Sequence, residues 1–127
     1  MGSIKLIDKD RLSYIDRYRD RLLKYGYSPE TLGWGKVSRQ NIRYSVLAEE
    51  ALKLPHSSVL DVGCGFADLY DFLIAHGWFG KYTGIDIVPE LLALAKDRHP
   101  NIELLLMDIS DNNVFNTDTF DFVIASG

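Results

Sequence analysis

Apolar and polar positions follow a helical period in the first part of the chain. Between residues 10 and 25, apolar side chains recur every three or four positions with Arg and Asp between them, which predicts an amphipathic helix ending at Gly26. A second helix is predicted over 39–53, with Ser38 as its N-cap and with Gln40 outside its apolar face. That face would consist of Tyr44, Leu47, Ala48, Ala51 and Leu52.

The second part of the chain carries short apolar runs separated by helical patterns. The runs predict four strands, at 57–62, 82–87, 102–107 and 120–125. A helical pattern follows each of the first two strands, and Pro89 suits the first turn of the later helix. Strands that alternate with helices are typical of a parallel sheet with helices on both faces. The pattern therefore predicts an α/β protein with a doubly wound, mainly parallel sheet of about four strands behind an N-terminal helical cap.

The turn after the first predicted strand carries the clearest chemical signal. The apolar run ends in Asp61, and Gly63 and Gly65 follow at alternate positions. Glycine lacks a Cβ atom, so the turn can adopt strained dihedrals and a ligand can approach its backbone closely. The helix that follows would direct free N–H groups at that ligand. Cys64 lies between the glycines, where we expect a small residue that fills space and not a reactive thiol.

The identity of the ligand depends on the residues around these glycines. A dinucleotide fingerprint requires a third glycine at position 68, where this chain has Asp68. The pattern instead resembles the first motif of the class I S-adenosylmethionine-dependent methyltransferases, acid-x-Gly-x-Gly-x-Gly. The resemblance implies that Asp61 helps to hold the cationic methionine amino group, which a carboxylate attracts. Ala67 stands at the third glycine of that motif, a mild departure if its φ is negative.

Two further acids end predicted strands. Asp86 and Asp108 follow the second and third strands, and in a parallel sheet both would lie with Asp61 at one edge. The segment Gly84–Ile87 resembles the second motif of the family, whose acid binds the ribose hydroxyls. The segment 107–109 resembles the third, whose acid meets the adenine amino group while the next apolar residue covers the ring.

Two further segments resemble parts of the family. The segment 120–126 resembles the fourth motif, on the strand beside the first, and residues 32–43 resemble a cap found in some bacterial members. The resemblance therefore implies a Rossmann-like fold, with the helical cap at 1–54 and the cofactor-binding half at 55–127. No catalytic residue and no metal ligand is assigned. The candidate cofactor-binding residues are Asp61, Gly63, Cys64, Gly65, Asp86, Ile87, Asp108, Ile109 and Ala125.

Composition narrows the class of protein. The chain has 46% hydrophobic and 25% charged residues, as soluble globular proteins do, and no run of eighteen apolar residues or signal-peptide core. We therefore expect a cytoplasmic protein without a membrane partner. The net charge is +4 over residues 1–53 and −8 over 54–127. We interpret the basic part as a solvated helix face, with contact to the acidic half as the alternative, and nothing indicates nucleic acid.

The last expectation concerns the extent and activity of the domain. The core sheet of the family has seven strands, whereas this chain ends after the fourth, so we expect a fragment that self-associates through the exposed fourth strand. The resemblance implies methyl transfer from S-adenosylmethionine to an unidentified acceptor, with S-adenosylhomocysteine as product. Two alternatives stay open: a non-catalytic cofactor-binding or assembly module and, less favoured, an NAD-dependent oxidoreductase.

Overall fold

The computed structural model describes residues 8–32, 37–110 and 119–126. The helices before the sheet are α1 (Asp8–Tyr25), α2 (Val37–Leu47) and α3 (Glu49–Leu52), with a 3₁₀ turn at Pro29–Leu32 between α1 and α2. The later elements are β1 (Val59–Val62), α4 (Asp68–Ala75), β2 (Tyr82–Asp86), α5 (Pro89–Arg98), β3 (Glu103–Leu106) and β4 (Phe122–Ala125). Residues 33–36, within the segment that resembles the cap, and residues 111–118 lie outside the described residues.

The first predicted helix is confirmed as α1. It ends where the glycine signal placed its end, because Gly26 has a φ of +64° and donates its N–H to the Leu22 carbonyl at 2.8 Å. A left-handed residue at this position terminates a helix at no steric cost when it is glycine. The periodicity of α1 therefore determined both its existence and its C-terminus.

The second predicted helix is present in two pieces. A turn at Ala48 separates α2 from α3, and α2 begins at Val37, so Ser38 lies inside the helix and does not cap it. The expected apolar face is buried or half-buried, with Tyr44 and Ala48 at its centre. The placement of Gln40 outside this face was wrong. Gln40 is 6% exposed, because its amide group donates hydrogen bonds to Tyr44 and to Asp68 on α4.

The predicted α/β fold class is confirmed by a four-stranded sheet in which every pairing is parallel. The strand order is β3-β2-β1-β4. The chain steps from β1 to β2 to β3 in one direction, and β4 then pairs with the opposite side of β1. Right-handed crossovers place α4 and α5 on the same face of the sheet, since both connections run the same way. The order reverses at β1, which is where ligands bind in sheets of this kind.

The main hydrophobic core lies between this helix-bearing face and the N-terminal helices. Val59 of β1 and Tyr82 of β2 are neighbours in register, and both pack with Leu69 and Leu73 of α4 and with Ala95 of α5. The core therefore fixes the strands so that all their carboxyl ends meet at one edge.

In the described part of the chain, no helix has an apolar stretch long enough to cross a lipid bilayer.

Candidate functional site

A crevice of about 240 Å³ lies at the carboxyl ends of the strands, where the strand order reverses. Each strand contributes to it either its last residue or the segment that follows. Six of the nine predicted cofactor-binding residues line this crevice, and three do not. Its walls are formed by Tyr14, Val62, Gly63, Ile85, Asp86, Ile87, Met107, Asp108, Ile109 and Ala125.

The glycine turn between β1 and α4 forms one wall of the crevice. Gly63 and Gly65 have φ values of +73° and +54°, which only glycine adopts without strain. The N–H groups of Gly63 and Cys64 both donate to the carbonyl of Ile85, at 2.9 and 3.0 Å. These bonds tie the turn to the neighbouring strand β2. The turn is therefore held in place by backbone hydrogen bonds across the sheet.

Ala67 contradicts the expectation of a negative φ. It has a φ of +64° and a ψ of +34°, so it occupies the left-handed region as the N-cap of α4. The left-handed conformation brings a Cβ atom close to the following carbonyl and costs an L-residue about 1–2 kcal/mol. Ala67 is also completely buried, so its methyl group packs in the core. The departure from the glycine pattern is therefore a strained position and not a neutral one.

Asp86 anchors the glycine turn to the end of β2. Its carboxylate accepts the N–H of Gly65 on Oδ2 and the N–H of Val88 on Oδ1, both at 2.9 Å. Burial raises the pKa of Asp86, although the hydrogen bonds from Val88 and Gly65 act in the opposite direction. Each carboxylate oxygen keeps a second lone pair. Asp86 therefore has a structural role and also retains acceptor capacity toward the crevice.

Asp61 lies beneath the crevice and does not line it. It is fully buried, and it accepts hydrogen bonds from the Tyr82 hydroxyl at 2.7 Å and from the Ser126 hydroxyl. Burial raises the pKa of Asp61 to about 7, although the bonds from Ser126 and Tyr82 favour the charged form. Asp61 therefore loses its proton at a much higher pH than an ordinary aspartate.

Asp108 is held in its charged form at the far side of the crevice. Its Oδ1 accepts the backbone N–H and the hydroxyl of Ser110, at 2.9 and 2.7 Å, and its Oδ2 is 3.0 Å from an Nη atom of Arg11. Burial acts to raise the pKa, but the Ser110 hydrogen bonds and the Arg11 guanidinium hold the pKa of Asp108 below its usual range. The carboxylate is therefore ionised at neutral pH.

Comparison with known proteins decides the family. A profile described as a methyltransferase domain matches residues 59–127, which is more than half of the chain and contains all nine predicted residues. The chain belongs to the class I S-adenosylmethionine-dependent methyltransferase family. Over 87 residues it is 34% identical to the 18S rRNA (guanine-N(7))-methyltransferase of Bos taurus, in an alignment that covers 66% of this chain and 30% of that protein.

Solved structures show the same fold. A TehB-like SAM-dependent methyltransferase from Corynebacterium glutamicum has a TM-score of 0.53 at 23% identity, covering 95% of this chain and 56% of that one. The SAM-bound amino pentose methyltransferase CalS10 from Micromonospora echinaspora has a TM-score of 0.54 at 22% identity, covering 97% and 43%. S-adenosylmethionine is the cofactor of this family. The alignments with the curated relatives span only 23–30% of those proteins' lengths.

Cys64 and Gly65 support the glycine turn beside the crevice through backbone hydrogen bonds and packing. The Cys64 thiol is buried with its Sγ 3.9 Å from the Gly65 carbonyl, and burial raises its pKa. A Cβ atom on Gly84 of β2 would lie 2.8 Å from that sulfur, so the missing side chain makes room for Cys64. The thiol is therefore a packing group, as the sequence predicted.

Two residues of the site were missed at the level of sequence, and both lie on α1. Tyr14 lines the crevice, and Arg11 forms the ion pair with Asp108. Neither belongs to the apolar stripe that predicted the helix. The charge difference between the two halves of the chain was the signal that pointed toward Arg11. The solvated-face interpretation is therefore wrong for Arg11, whereas Arg19, whose side chain is 42% exposed, forms an exposed ion pair with Glu90 of α5 at 2.7 Å.

A larger cavity of about 590 Å³ lies between α2 and α4. Asp68 and Asp71 are on its wall, and Arg98 forms ion pairs with both of them. Asp68 also accepts a hydrogen bond from the Tyr27 hydroxyl at 2.6 Å. This network joins the start of α4 to the end of α5. The acidic residues of this cavity therefore have structural partners within the domain.

Proposed function

We propose that this methyltransferase domain binds S-adenosylmethionine in the crevice between the glycine turn and the ends of β2 and β3. The observation that carries the proposal is the convergence of Asp86 and Asp108 on one cavity at the reversal of strand order. Carboxylates at this edge suit a ligand that presents hydroxyl and amino donors. The family match supports a methyltransferase and not an NAD-dependent oxidoreductase.

The residues present fit such a cofactor. Asp86 would accept the ribose hydroxyls with the lone pairs that Gly65 and Val88 leave available. Asp108 would accept the adenine amino group, and the apolar side chains of Ile87 and Ile109 would flank the ring. Gly63 and Ala125 would form a wall whose small residues allow close approach, and Gly65 would hold the turn through its hydrogen bond to Asp86. Cys64 would support this wall from behind.

In this proposal Asp61 acts on the cofactor without touching it. Its oxygens are engaged by Tyr82 and Ser126 and its side chain is fully buried. Its negative charge would attract the cationic methionine end of the cofactor from beneath the crevice, and that cation would in turn favour ionisation of Asp61. Ser126 donates its hydroxyl to Asp61, so we assign it no catalytic role.

The reaction proposed for the whole protein is transfer of a methyl group to an unidentified acceptor. When bound, S-adenosylmethionine supplies an electrophilic methyl group on sulfur, and S-adenosylhomocysteine remains after the transfer. The residues of this domain would contribute by holding and orienting the cofactor, which lowers the entropic part of the barrier. We also propose that the protein is cytoplasmic and that the helical cap ends at residue 54, before the cofactor-binding half. The chain would self-associate through β4.

Calorimetric titration of the 127-residue chain tests the binding step. We expect S-adenosylmethionine and S-adenosylhomocysteine to bind more tightly than NAD. Asp86→Asn should weaken binding about tenfold or more, because a hydrogen bond to a charged group contributes about 1.5–3 kcal/mol. Asp97→Asn makes the same chemical change at an exposed position of α5 and should have no effect. Tighter binding of NAD, or equal effects of the two variants, would contradict the proposal.

A methyl-transfer assay separates catalysis from binding. A non-catalytic module would bind the cofactor in the titration and would transfer no methyl group to any acceptor offered. Thermal unfolding of each variant, measured in parallel, identifies any loss of binding that follows from loss of fold. The titration and the transfer assay together distinguish an enzyme from an assembly module.

A further inference from the structure

Helix α1 lies against the cofactor crevice. Its apolar side chains pack on a cluster formed by Phe66 of the glycine turn and by Val88 and Leu91 at the start of α5. The residues of α1 that make these contacts are Tyr14, Ile15, Tyr18 and Leu22. Tyr14 also lines the crevice together with Asp86 and Asp108. The helix therefore covers the region into which the cofactor must pass.

Two ion pairs hold the helix in this position. Arg11 is 3.0 Å from Asp108 Oδ2, and Arg19 donates from Nε to Glu90 at 2.7 Å. The Arg11 side chain is 30% exposed, whereas that of Asp108 is only 9% exposed. The Arg11–Asp108 pair joins α1 to a residue of the crevice, and the Arg19–Glu90 pair joins α1 to α5 away from the crevice. Of these two pairs, the Arg11 pair is the one that occupies a residue of the proposed cofactor site.

The room left under α1 is small. The crevice measures about 240 Å³ with the helix in place. Pockets that hold ligands of comparable size to a nucleoside derivative usually measure about 300–1,000 Å³. A ligand donor that approaches Oδ2 of Asp108 also meets the Arg11 guanidinium there. With α1 in this position, the crevice therefore leaves the cofactor little room beside Asp108.

We propose that α1 is a gate over the cofactor crevice and that the Arg11–Asp108 ion pair is its latch. This inference rests on the proposed function, because it assigns the crevice to the cofactor. Access of the cofactor requires Arg11 to leave Asp108 and α1 to move outward. The Arg19–Glu90 pair and the apolar contacts of Tyr18 and Leu22 keep the C-terminal part of the helix attached, so its N-terminal part opens.

A gate and a permanent roof predict opposite effects of removing the latch. If Arg11 closes a gate, Arg11→Gln speeds association of the cofactor, because the open state becomes more populated. If Arg11 is part of a preformed site, the same change leaves association unchanged and speeds dissociation. If Arg11 closes a gate, added salt should also speed association of the cofactor with the wild type, since salt screens a partly exposed ion pair.

Stopped-flow association of S-adenosylhomocysteine with the 127-residue chain tests this distinction. For Arg11→Gln we expect the association rate constant to rise about two- to fivefold at low ionic strength, in keeping with a partly exposed ion pair. Arg17→Gln removes the same charge from an exposed position of α1 and should leave the rate unchanged. Arg11→Lys keeps the charge and should fall between the wild type and Arg11→Gln.

Hydrogen exchange without any ligand provides a second readout. Amides in the first half of α1 should exchange faster in Arg11→Gln than in the wild type, while those of β1 and β2 should not change. The gate would be rejected if Arg11→Gln associated with the cofactor no faster than the wild type. It would also be rejected if the amides of α1 exchanged at the same rate in both proteins. If neither wild type nor variant binds the cofactor, the proposed function fails and the gate with it; binding with unaltered rates rejects the gate alone.

Discussion

At the scale of single residues, the buried carboxyl groups show how position changes the chemistry of one residue type. Asp61 has no contact with solvent and a raised pKa, whereas Asp108 is held ionised by Ser110 and Arg11. Asp86 is bound to two backbone amides. Three aspartates that look equivalent at the ends of three strands therefore differ in the shift of their pKa values and in the hydrogen bonds they accept.

Asp61 predicts a specific dependence of stability on pH. Because its pKa in the folded chain is about 7 and that of an unfolded aspartate is about 4, its stabilising contribution is complete below pH 4 and is lost as the pH rises through 7. At pH 8 the loss amounts to about 4 kcal/mol at most. Urea unfolding of the wild type at several pH values should show this decrease relative to Asp61→Asn.

Asp61→Asn is a suitable reference because its amide is neutral throughout this range and the hydroxyls of Tyr82 and Ser126 can reorient toward it. Other carboxylates, including Asp108, titrate in both proteins and cancel in the difference. Parallel curves of unfolding free energy against pH for the two proteins would show that Asp61 has an ordinary pKa.

At the scale of secondary-structure elements, the turn between β1 and α4 combines three left-handed residues, of which only Ala67 is strained. Three of its residues, Gly63, Gly65 and Ala67, have positive φ values, and only the first two are glycines. The turn is nevertheless fixed, because its amides bond to Ile85 and Asp86 on the adjacent strand. A left-handed alanine persists here because the surrounding hydrogen bonds and core packing determine its conformation.

The effect of a substitution at Ala67 on the free energy of unfolding should therefore depend on how well the new residue adopts a positive φ, and not on its hydrophobicity. Ala67→Val should reduce the free energy of unfolding by about 2 kcal/mol or more, since a β-branched residue is a strong outlier at positive φ and the site is fully buried. Ala67→Gly should change it by less than about 1 kcal/mol, because relief of strain opposes the lost methyl packing and the added chain freedom. Urea unfolding of both variants at one pH provides the comparison; equal stability of valine and glycine would argue against a left-handed residue 67.

At the scale of the whole molecule, β4 is an edge strand in the part of the chain that the structure describes. One side of it pairs with β1, and Ile124 is buried in the core. Val123, on the other face, is 49% exposed. An apolar edge strand presents unpaired backbone groups that recruit another strand. This arrangement supports the proposal that the chain self-associates.

We expect the 127-residue chain to form dimers or larger species through β4 as its concentration rises. Val123→Lys should shift the distribution toward monomer, because charged edge residues oppose strand pairing. Leu23→Lys is a matched control, since Leu23 is an exposed apolar residue of α1, far along the chain from the edge. Size exclusion with light scattering over a concentration series measures both. A wild-type monomer at all concentrations, or equal suppression by the two variants, would reject association through β4.

The sequence by itself determined the elements and the edge at which the site lies. Helical periodicity located α1 and its end at Gly26, and apolar runs located four strands to within one or two residues. The alternation of strands with helices predicted a parallel sheet, which places the carboxyl ends of the strands together. These features depend on neighbours along the chain and on general rules of sheet topology, so a single sequence contains them.

The tertiary structure alone decided how the site is completed. The positive φ of Ala67 occurs in a turn whose preceding residues bond to β2, and the burial of Gln40 follows from Asp68, 28 residues away. Arg11 reaches Asp108 across 97 positions of the chain, and that contact places α1 over the crevice. Such pairings arise from packing between distant segments, for which local periodicity and residue spacing carry no signal.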